Sequence, residues 1–467
     1  MKQPQQAISA CFEALHQFKE LAPCWEFNLE LYRNAYRKQR RSEGLKIAVS
    51  GSNISLNAAG RALTLFDLYR YSGYDTELIG VTTKKDAKAI WPPLRQSGVA
   101  LRSLAIDSPA SFLEKALQFV LANPYDMVHL SKPRMSNVVL GCLYKLVWGS
   151  YVIMDVDDEE LSFVGAEHPI IADEFHSMPA KTLNQQGLLA EHWTRIAVGL
   201  IHLFDETTVS NPALKGRYPG IVIPHVRDET IFSPSLELRA QSRKRFDIPE
   251  NATVVLFFGT PRVHKGLIET AEAIASLKRE DVIYAIVGDF TDLAFKQNLK
   301  SIAGVNYRFI ADQPYQDAAK VVAMGDICVL LQDTDALVAQ YQLPAKLIDA
   351  LAMGLQVFVQ QTPALAHIVE SGVVTQVTKD SLTERLSEYL ASNSKGGIHW
   401  PANAYFKNQL SMAAAKKEIE RLVHRATNSK GWGWRYHSKL QALLTPCQLA
   451  QFIKACEIES SKFSCNF

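Results

Sequence analysis

The chain has 467 residues, of which 47% are hydrophobic and 21% charged, so it is long enough for two globular domains and too apolar for a disordered protein. Its formal net charge of +2 gives no broad basic surface, which argues against nucleic acid as the main partner. The seven cysteines are odd in number and show no C-x-x-C spacing. They therefore predict free thiols in a reducing cytoplasm, and they argue against a zinc site or a secreted disulfide framework.

Residues 1–44 are predicted to form a helical prefix, because Phe12, Leu15, Phe18 and Leu21 recur at helical spacing. The cations of its second part are Arg33, Arg37, Lys38, Arg40 and Arg41. A basic helix end can contact anionic lipid head groups at the inner face of a membrane. A solvated helix end, where cations favour the helix dipole, is the preferred interpretation. The first residues lack the pattern of a signal peptide, so a cytoplasmic location is expected.

An N-terminal α/β domain is predicted over residues 45–224. The apolar strand Leu45–Ser50 ends in a glycine loop, a helix follows over about residues 57–70, and Thr76–Gly80 has the pattern of a second strand. This order of strand, helix and strand is that of a parallel α/β unit. Further strands are predicted at residues 127–130, 151–155 and 207–210.

Three prolines, Pro219, Pro224 and Pro234, mark the predicted hinge, and residues 225–425 then repeat the α/β rhythm. Strands are predicted at residues 253–258, 282–287, 305–309, 327–331 and 356–360, and helices at 266–278, 291–300, 315–324 and 344–353. The fold class is therefore α/β, with two facing Rossmann-like domains. In such folds the ligand binds at the C-terminal ends of the strands, here in the cleft between the halves.

The most informative segment runs from the end of a strand through a glycine-bearing loop into a helix. Its loop contains Gly259, Arg262, His264, Lys265 and Gly266. Backbone N–H groups at a helix start bind anions, and Arg and Lys neutralise the remaining charge. The spacing therefore favours a diphosphate site over an ordinary surface loop with two cations. His264 is predicted with equal weight to contact ligand or to cap the loop.

A second segment, Gln342–Gly354, opens another helix. Lys346 and Asp349 lie three residues apart and so share one helical face. They could form a simple surface ion pair. The apolar neighbours of Asp349 indicate a largely buried helix, however, and a carboxylate there is a good acceptor for ribose hydroxyls.

Together the two segments resemble the donor-binding half of GT-B glycosyltransferases, in particular the large retaining family 4. The loop Gly259–Gly266 follows the family pattern G-x-P-R-x-x-K-G, and Pro344–Gly354 is similar to P-x-K-L-x-E-A-x-A-x-G. The chain departs from the family at two carboxylates. Tyr341 stands where the first Glu is usual, and Asp349 is shorter than the second. Asp335 or Gln342 could substitute for the first.

The resemblance implies transfer of a sugar from a nucleoside diphosphate sugar to a hydroxyl of a carbohydrate or lipid-linked acceptor, with retention, in cell-surface polysaccharide or glycan synthesis. Arg262 and Lys265 would stabilise charge on the leaving diphosphate, without metal or cofactor. The donor-binding residues that it implies are Gly259, His264, Gly266, Pro344, Lys346, Leu347 and Asp349. Residues 426–467 would form a helical segment that returns to the first domain, after a stretch around Trp432 and Trp434.

The acidic run Asp155–Glu160 allows several interpretations. A D-x-D at a strand end binds a metal and a diphosphate in GT-A transferases. The same spacing suits the nucleophile and acid pair of a Mg-dependent phosphatase, Asp155 and Asp157. The GT-B resemblance favours a third role, in which Asp157 contacts the donor sugar as a candidate catalytic residue, with Asp155 next. Glu159 and Glu160 are explained by an acidic helix start.

Two loops of the first domain complete the candidate set. In a GT-B fold the loop with Gly51 and Asn53 faces the donor, and Arg61 lies nearby, although an ordinary turn explains any one of these residues equally well. The loop Lys132–Arg134 is expected to be solvated. A non-catalytic nucleotide-sugar-binding protein on the same scaffold is the main alternative function, because the first Glu is missing, and the phosphatase is a distant one.

Overall fold

The structure is a computed structural model that describes residues 4–17, 22–82, 90–106, 109–184, 187–392, 397–429 and 449–464. The chain divides into two compact units. The first comprises Met1–Ser210, Leu214–Ile223 and Lys416–Phe467, and the second comprises Asn211–Ala213 and Pro224–Ala415. The domain boundaries predicted from the sequence, at residues 44, 224 and 425, stay predictions.

The first unit is built on a seven-stranded sheet with the order β3-β2-β1-β4-β5-β6-β7, in which every pair is parallel. The strands are β1 (Ile47–Gly51), β2 (Thr76–Thr82), β3 (Leu101–Ala105), β4 (Met127–Ser131), β5 (Tyr151–Val156), β6 (Glu206–Val209) and β7 (Ile221–Val222). Every residue of β1, β4 and β5 is buried. Strands covered on both faces carry continuous apolar runs, which explains why these three were visible in the sequence.

Helices surround this sheet. They are α1 (Pro4–Gln17), α2 (Ala22–Glu43), α3 (Ala59–Tyr71), α4 (Pro92–Gln96), α5 (Pro109–Ala122), α6 (Met135–Val147), α7 (Ala172–Ser177), α8 (Ala180–Asn184), α9 (Glu191–Gly199) and α10 (Pro212–Arg217). The helical prefix is thus the pair α1 and α2, and the α2 residue Arg33 is buried, with Nε donating to the Val147 carbonyl at 2.9 Å. At least one cation in the basic part of α2 is therefore buried and bonded within the first unit.

The second unit has a six-stranded parallel sheet with the order β10-β9-β8-β11-β12-β13. Its strands are β8 (Thr253–Phe258), β9 (Val282–Val287), β10 (Asn306–Ile310), β11 (Ile327–Leu330), β12 (Gln356–Val359) and β13 (Thr375–Gln376). Its helices are α11 (Leu236–Arg245), α12 (Leu267–Ser276), α13 (Leu293–Ser301), α14 (Ala318–Ala323), α15 (Leu337–Tyr341), α16 (Ala345–Ala352), α17 (Ala366–Glu370), α18 (Leu382–Ala391) and α19 (Trp400–Tyr405). Each unit is a Rossmann-like α/β structure, so the predicted fold class is confirmed.

The last two helices belong to the end of the chain. Helix α20 (Met412–Asn428) begins in the second unit and ends in the first, and α21 (Leu449–Ser464) lies in the first. The α21 residues Leu449, Phe452 and Ile453 are at most 1% exposed and belong to the core of the first unit. The predicted stretch around Trp432 and Trp434 lies outside the described residues.

Each sheet has one point where the strand order reverses. In the second unit the chain leaves β8 for β9 on one side and later returns to β11 on the other side of β8. In the first unit β1 holds the same place between β2 and β4. Ligands of open parallel sheets bind outside the C-terminal ends of the strands at such points. No helix in the described parts of the chain is long and apolar enough to cross a bilayer.

Candidate functional site

The loop after β8 depends on its two glycines. Gly259 has a φ of +98°, and a Cβ added there would lie 3.0 Å from Lys346 Cε. Gly266 has a φ of +69°, and an added Cβ would lie 2.5 Å from Leu331 Cβ. Only glycine combines such dihedrals with no side chain, so both residues fix the path of the loop between β8 and α12.

Four basic side chains gather around this loop and the start of α16. Arg262 and His264 are exposed, while Lys265 is half-buried and donates from Nζ to the Thr260 carbonyl at 2.8 Å. Lys346 Nζ lies 3.7 Å from the centroid of the Phe257 ring, over its face. None of the four forms an ion pair with a carboxylate among the described residues. We call them the basic cluster.

The side chains of the basic cluster repel one another. Burial, followed by repulsion from Lys265, holds the pKa of Lys346 well below its usual value. Burial and Arg262 lower the pKa of Lys265. Desolvation, followed by the charges of Lys265, Arg262 and Lys346, lowers the pKa of His264. Groups that repel one another in this way are stabilised by an incoming anion.

Helix α16 adds backbone donors to the same place. Pro344 precedes its first turn, Leu347 is fully buried, and the first bond of the turn runs from Leu347 N to the Pro344 carbonyl at 3.0 Å. The amides at a helix start have no carbonyl one turn earlier, so they are free to bind an anion. The loops after β8 and β11 both lie at the reversal point of the second sheet. The fold therefore unites the two predicted segments.

Asp349 is buried and already has a protein partner. Arg227 Nε lies 2.6 Å from Asp349 Oδ1, and the two side chains are each 10% exposed. Its predicted contact with a ribose stays a prediction. Arg227 is a residue of this region that the sequence pattern does not indicate, since its partner Asp349 is far away in the chain and Arg227 itself belongs to neither of the two recognised segments. Tyr341 ends the short helix α15.

In the first unit, Asp157 belongs to a buried charge network at the ends of β4 and β5. Lys132 Nζ lies 3.1 Å from Asp157 Oδ2, pairs closely with Asp158 and is 3.6 Å from Glu160 Oε1. Lys132 is only 8% exposed, and its φ is +74°. The expectation of a solvated loop over Lys132–Arg134 is therefore wrong, because the neighbouring carboxylates draw Lys132 inward.

Both carboxylate oxygens of Asp155 already accept hydrogen bonds from protein side chains. Arg61 donates to both of its oxygens, from Nε to Oδ2 at 2.9 Å and from Nη2 to Oδ1 at 2.8 Å, and Thr208 Oγ1 donates to Oδ1 at 2.7 Å. Asp155 and Arg61 are almost completely buried. A phosphatase nucleophile and a metal-binding D-x-D both need an accessible carboxylate. Both interpretations of Asp155 are therefore wrong, and its role is to hold Arg61.

The loop after β1 is a close-packed turn. An added Cβ at Gly51 would lie 2.6 Å from Ile54 Cγ2, so the glycine makes room for Ile54. Asn53 is 8% exposed, and its Oδ1 accepts a hydrogen bond from Ser55 N at 3.0 Å. These contacts are those of an Asx turn. They explain both residues locally, and donor contact by Gly51 and Asn53 stays a prediction.

The candidate residues thus fall into two sets. The residues of the second unit lie in the loop after β8 and at the start of α16: Gly259, Arg262, His264, Lys265, Gly266, Pro344, Lys346 and Leu347. Asp349 lies further along α16. The first unit contains Gly51, Asn53 and Asp157. The basic cluster at a helix start is the arrangement with the clearest chemistry, because it can bind a group with several negative charges.

Comparison with known proteins agrees with this assignment. Residues 239–408 match the family described as glycosyl transferases group 1. The chain is 32% identical over 113 residues to the putative colanic acid biosynthesis glycosyl transferase WcaI of Escherichia coli K12, which is 24% of this chain and 27% of that protein. The match therefore spans about a quarter of that relative's length.

Solved structures match most of the chain. The Anabaena protein Alr3699/HepE, in complex with UDP and glucose, has a TM-score of 0.60 at 16% identity, over 82% of this chain and 100% of that one. A glycosyltransferase from Rickettsia africae has a TM-score of 0.60 at 13% identity, over 83% of this chain and 99% of that one. At such identity the likeness is one of fold. The chain has the GT-B fold, and its residues 239–408 are similar to the group 1 glycosyl transferases.

Proposed function

We propose that the protein transfers a sugar from a nucleoside diphosphate sugar to a hydroxyl group of an acceptor. The observation that carries this proposal is the basic cluster at a helix start, at the reversal point of the second sheet, whose members form no ion pair within the described part of the chain. It lies within the residues that match the glycosyl transferase family. A diphosphate has the negative charge that a cluster of cations at a helix start binds.

A nucleotide-bearing donor is supported by the fold relative Alr3699/HepE, which has been solved with UDP and with UDP-glucose. In this chain the donor diphosphate would meet Arg262, Lys265 and Lys346 together with the first amides of α16. His264 lies between two of these cations and would contact the same group. The ribose would lie towards Asp349.

The chemical role of the basic cluster follows from the charge change during transfer. As the bond from the sugar to the diphosphate breaks, negative charge builds up on the leaving oxygen. Arg262 and Lys265 stabilise that charge, and donors fixed in advance contribute more than solvent that must reorient. We propose that these groups supply the positive charge that a metal ion supplies in other transferases, so that no metal is needed.

The finer features of the reaction are also proposals. Retention of configuration agrees with the retaining family that the donor-binding segments resemble. Asp157 is the residue of the first unit proposed to contact the donor sugar, and its cationic neighbours are Lys132 and Arg61. The proposed acceptor is a carbohydrate or a lipid-linked sugar in polysaccharide synthesis, and this proposal is supported by the likeness to WcaI, which is named as a glycosyl transferase of colanic acid biosynthesis.

A second function, binding of a nucleotide sugar without turnover, is favoured by one observation. Tyr341 occupies the position of the first family Glu, and a phenol has one hydroxyl group where a carboxylate has two acceptor oxygens. A binding protein would retain the basic cluster and lack the transfer reaction. Binding and turnover must therefore be measured separately.

The first test measures donor binding. We would follow thermal unfolding of the wild type, Lys265→Ala and the control Lys320→Ala with UDP, GDP, ADP, CDP and dTDP and their sugars, with a chelator present. A ligand that binds only the folded state raises the melting temperature. We expect one nucleotide to stabilise the wild type and Lys320→Ala, but not Lys265→Ala. Lys320 is an exposed cation of the same unit that pairs with Asp317.

The second test measures turnover with the donor so identified. Release of the nucleoside diphosphate in the presence of candidate acceptors would support transfer. Binding of the donor without release of the nucleoside diphosphate, whichever acceptor is added, would favour the binding protein. Absence of stabilisation by every nucleotide tested would contradict both functions. Stabilisation that requires Mg²⁺ would contradict the proposal that the basic cluster replaces a metal.

A further inference from the structure

The backbone of Arg227 is fixed at two points within the second unit. Arg227 N donates to the Leu410 carbonyl at 3.2 Å, and Met412 N donates to the Arg227 carbonyl at 3.0 Å. Arg227 also forms an isolated parallel bridge with Ser411. The side chain therefore starts from a well-defined position, which a long and flexible residue needs if it is to hold another group in one place.

The guanidinium group of Arg227 is held as firmly as its backbone. Nη1 donates to the Val226 carbonyl at 3.0 Å, and the group lies 5.8 Å from the centroid of the Phe232 ring. Its Nε lies 2.6 Å from Asp349 Oδ1. Partners with so little exposure depend on each other, because either charge alone would be buried without compensation.

The position of Asp349 connects this pair to the basic cluster. Asp349 lies on α16, three residues after Lys346 and on the same side of the helix. Burial raises the pKa of Asp349, and Arg227 is the largest influence that lowers it, followed by His225 and Lys346. The buried Cys328 thiol also faces Asp349. Without Arg227, burial would favour the neutral carboxyl group.

We propose that Arg227 is a positioning residue of the donor site: it holds Asp349 as an oriented carboxylate for the hydroxyl groups of the donor nucleotide, without touching the donor itself. This inference rests on the proposed function. An ionised carboxylate accepts hydrogen bonds from hydroxyl groups with both oxygens, whereas a neutral carboxyl group donates one bond of its own. The competing explanation is that the pair only stabilises the fold.

The experiment compares nucleotide binding by wild type, Arg227→Met and Arg227→Lys, with Arg385→Met as a matched control. Arg385 forms an exposed ion pair with Glu388 in the same unit. UDP, GDP, ADP, CDP and dTDP would be titrated by calorimetry between pH 6 and pH 9, after a thermal unfolding scan of each variant. We expect Arg227→Met to bind about tenfold more weakly than wild type at pH 7, the value of a lost hydrogen bond to a charged group.

The pH profile separates positioning from stability. In Arg227→Met the carboxyl group ionises only at higher pH, so its affinity relative to wild type should recover as the pH rises. Arg227→Lys keeps the charge, so it should bind within a few fold of wild type with the wild-type profile. Arg385→Met should match wild type throughout. The Lys variant decides the question if the Met variant does not fold.

Three results would overturn the inference. If the wild type binds a nucleotide and a folded Arg227→Met binds it equally well at every pH, the pair is structural only and the proposed function survives. Loss of nucleotide binding in a folded Arg227→Lys variant would also overturn the inference, since the positive charge of residue 227 would then not explain its effect on binding. If the wild type binds no nucleotide, the proposed function fails first and the inference fails with it.

Discussion

At the scale of single residues, the candidate site shows what local sequence can reveal. Gly259, Arg262, Lys265 and Gly266 were predicted together because the strand, the turn, the cations and the helix start follow one another within ten residues. The pair of Arg227 and Asp349 was not predicted, because its partners meet only through the fold. Burial of Lys132 was missed for the same reason, since its carboxylate partners lie on another strand end.

Gly266→Ala should destabilise the protein by about 2–3 kcal/mol, because the new Cβ would combine a left-handed φ with a collision against Leu331. Gly372→Ala is the matched control, with a φ of +75° and no atom within 4 Å of the added Cβ. It should lose only about 1 kcal/mol. Urea unfolding measures both, and equal losses would show that the contact with Leu331 is not restrictive.

Lys132→Met should destabilise the first unit by about 3–5 kcal/mol, since it leaves several buried carboxylates without their shared cation. Lys132→Gly removes the same charge but accepts the φ of +74° without strain. It should therefore be about 1 kcal/mol more stable than the Met variant. Denaturant unfolding gives the comparison, and a Met variant as stable as wild type would contradict the ion network.

At the scale of elements, burial decided which strands could be predicted. Strands β8, β9 and β12 were predicted within about a residue, because they are continuous apolar runs between turns. Strand β3 was not predicted, since two of its five residues are exposed and its apolar pattern is weak. The edge strands β7 and β13 have only two residues each. Helix α21 lies within residues 426–467, where only the family resemblance implied a helical segment, because its apolar face covers a core formed by distant segments.

Donor binding at the loop after β8 and the start of α16 should be coupled to the uptake of protons. The free protein holds the pKa of His264 and of Lys346 below their usual values. A bound diphosphate raises both, so binding should take up protons, and affinity should fall as pH rises through the free-state values. Calorimetry in buffers of different ionisation enthalpy measures the uptake, and an enthalpy that is independent of the buffer would contradict the prediction.

At the scale of the whole molecule, two units with separate cores should unfold in distinguishable steps. Phe452→Ala removes a fully buried ring of the first core and should cost about 3–5 kcal/mol there. Scanning calorimetry should show one transition lowered by Phe452→Ala and another lowered by Gly266→Ala. A single transition that shifts equally in both variants would show that the units unfold together.

The place of α21 also sets the order in which the protein can be completed during its synthesis. Its residues Leu449, Phe452 and Ile453 fill a core whose other parts were translated hundreds of residues earlier. The second unit, encoded in the middle of the chain, has all its residues once Ala415 has left the ribosome. The first unit therefore begins before the second and is completed after it, and in the nascent chain its apolar surface stays exposed until α21 has been made.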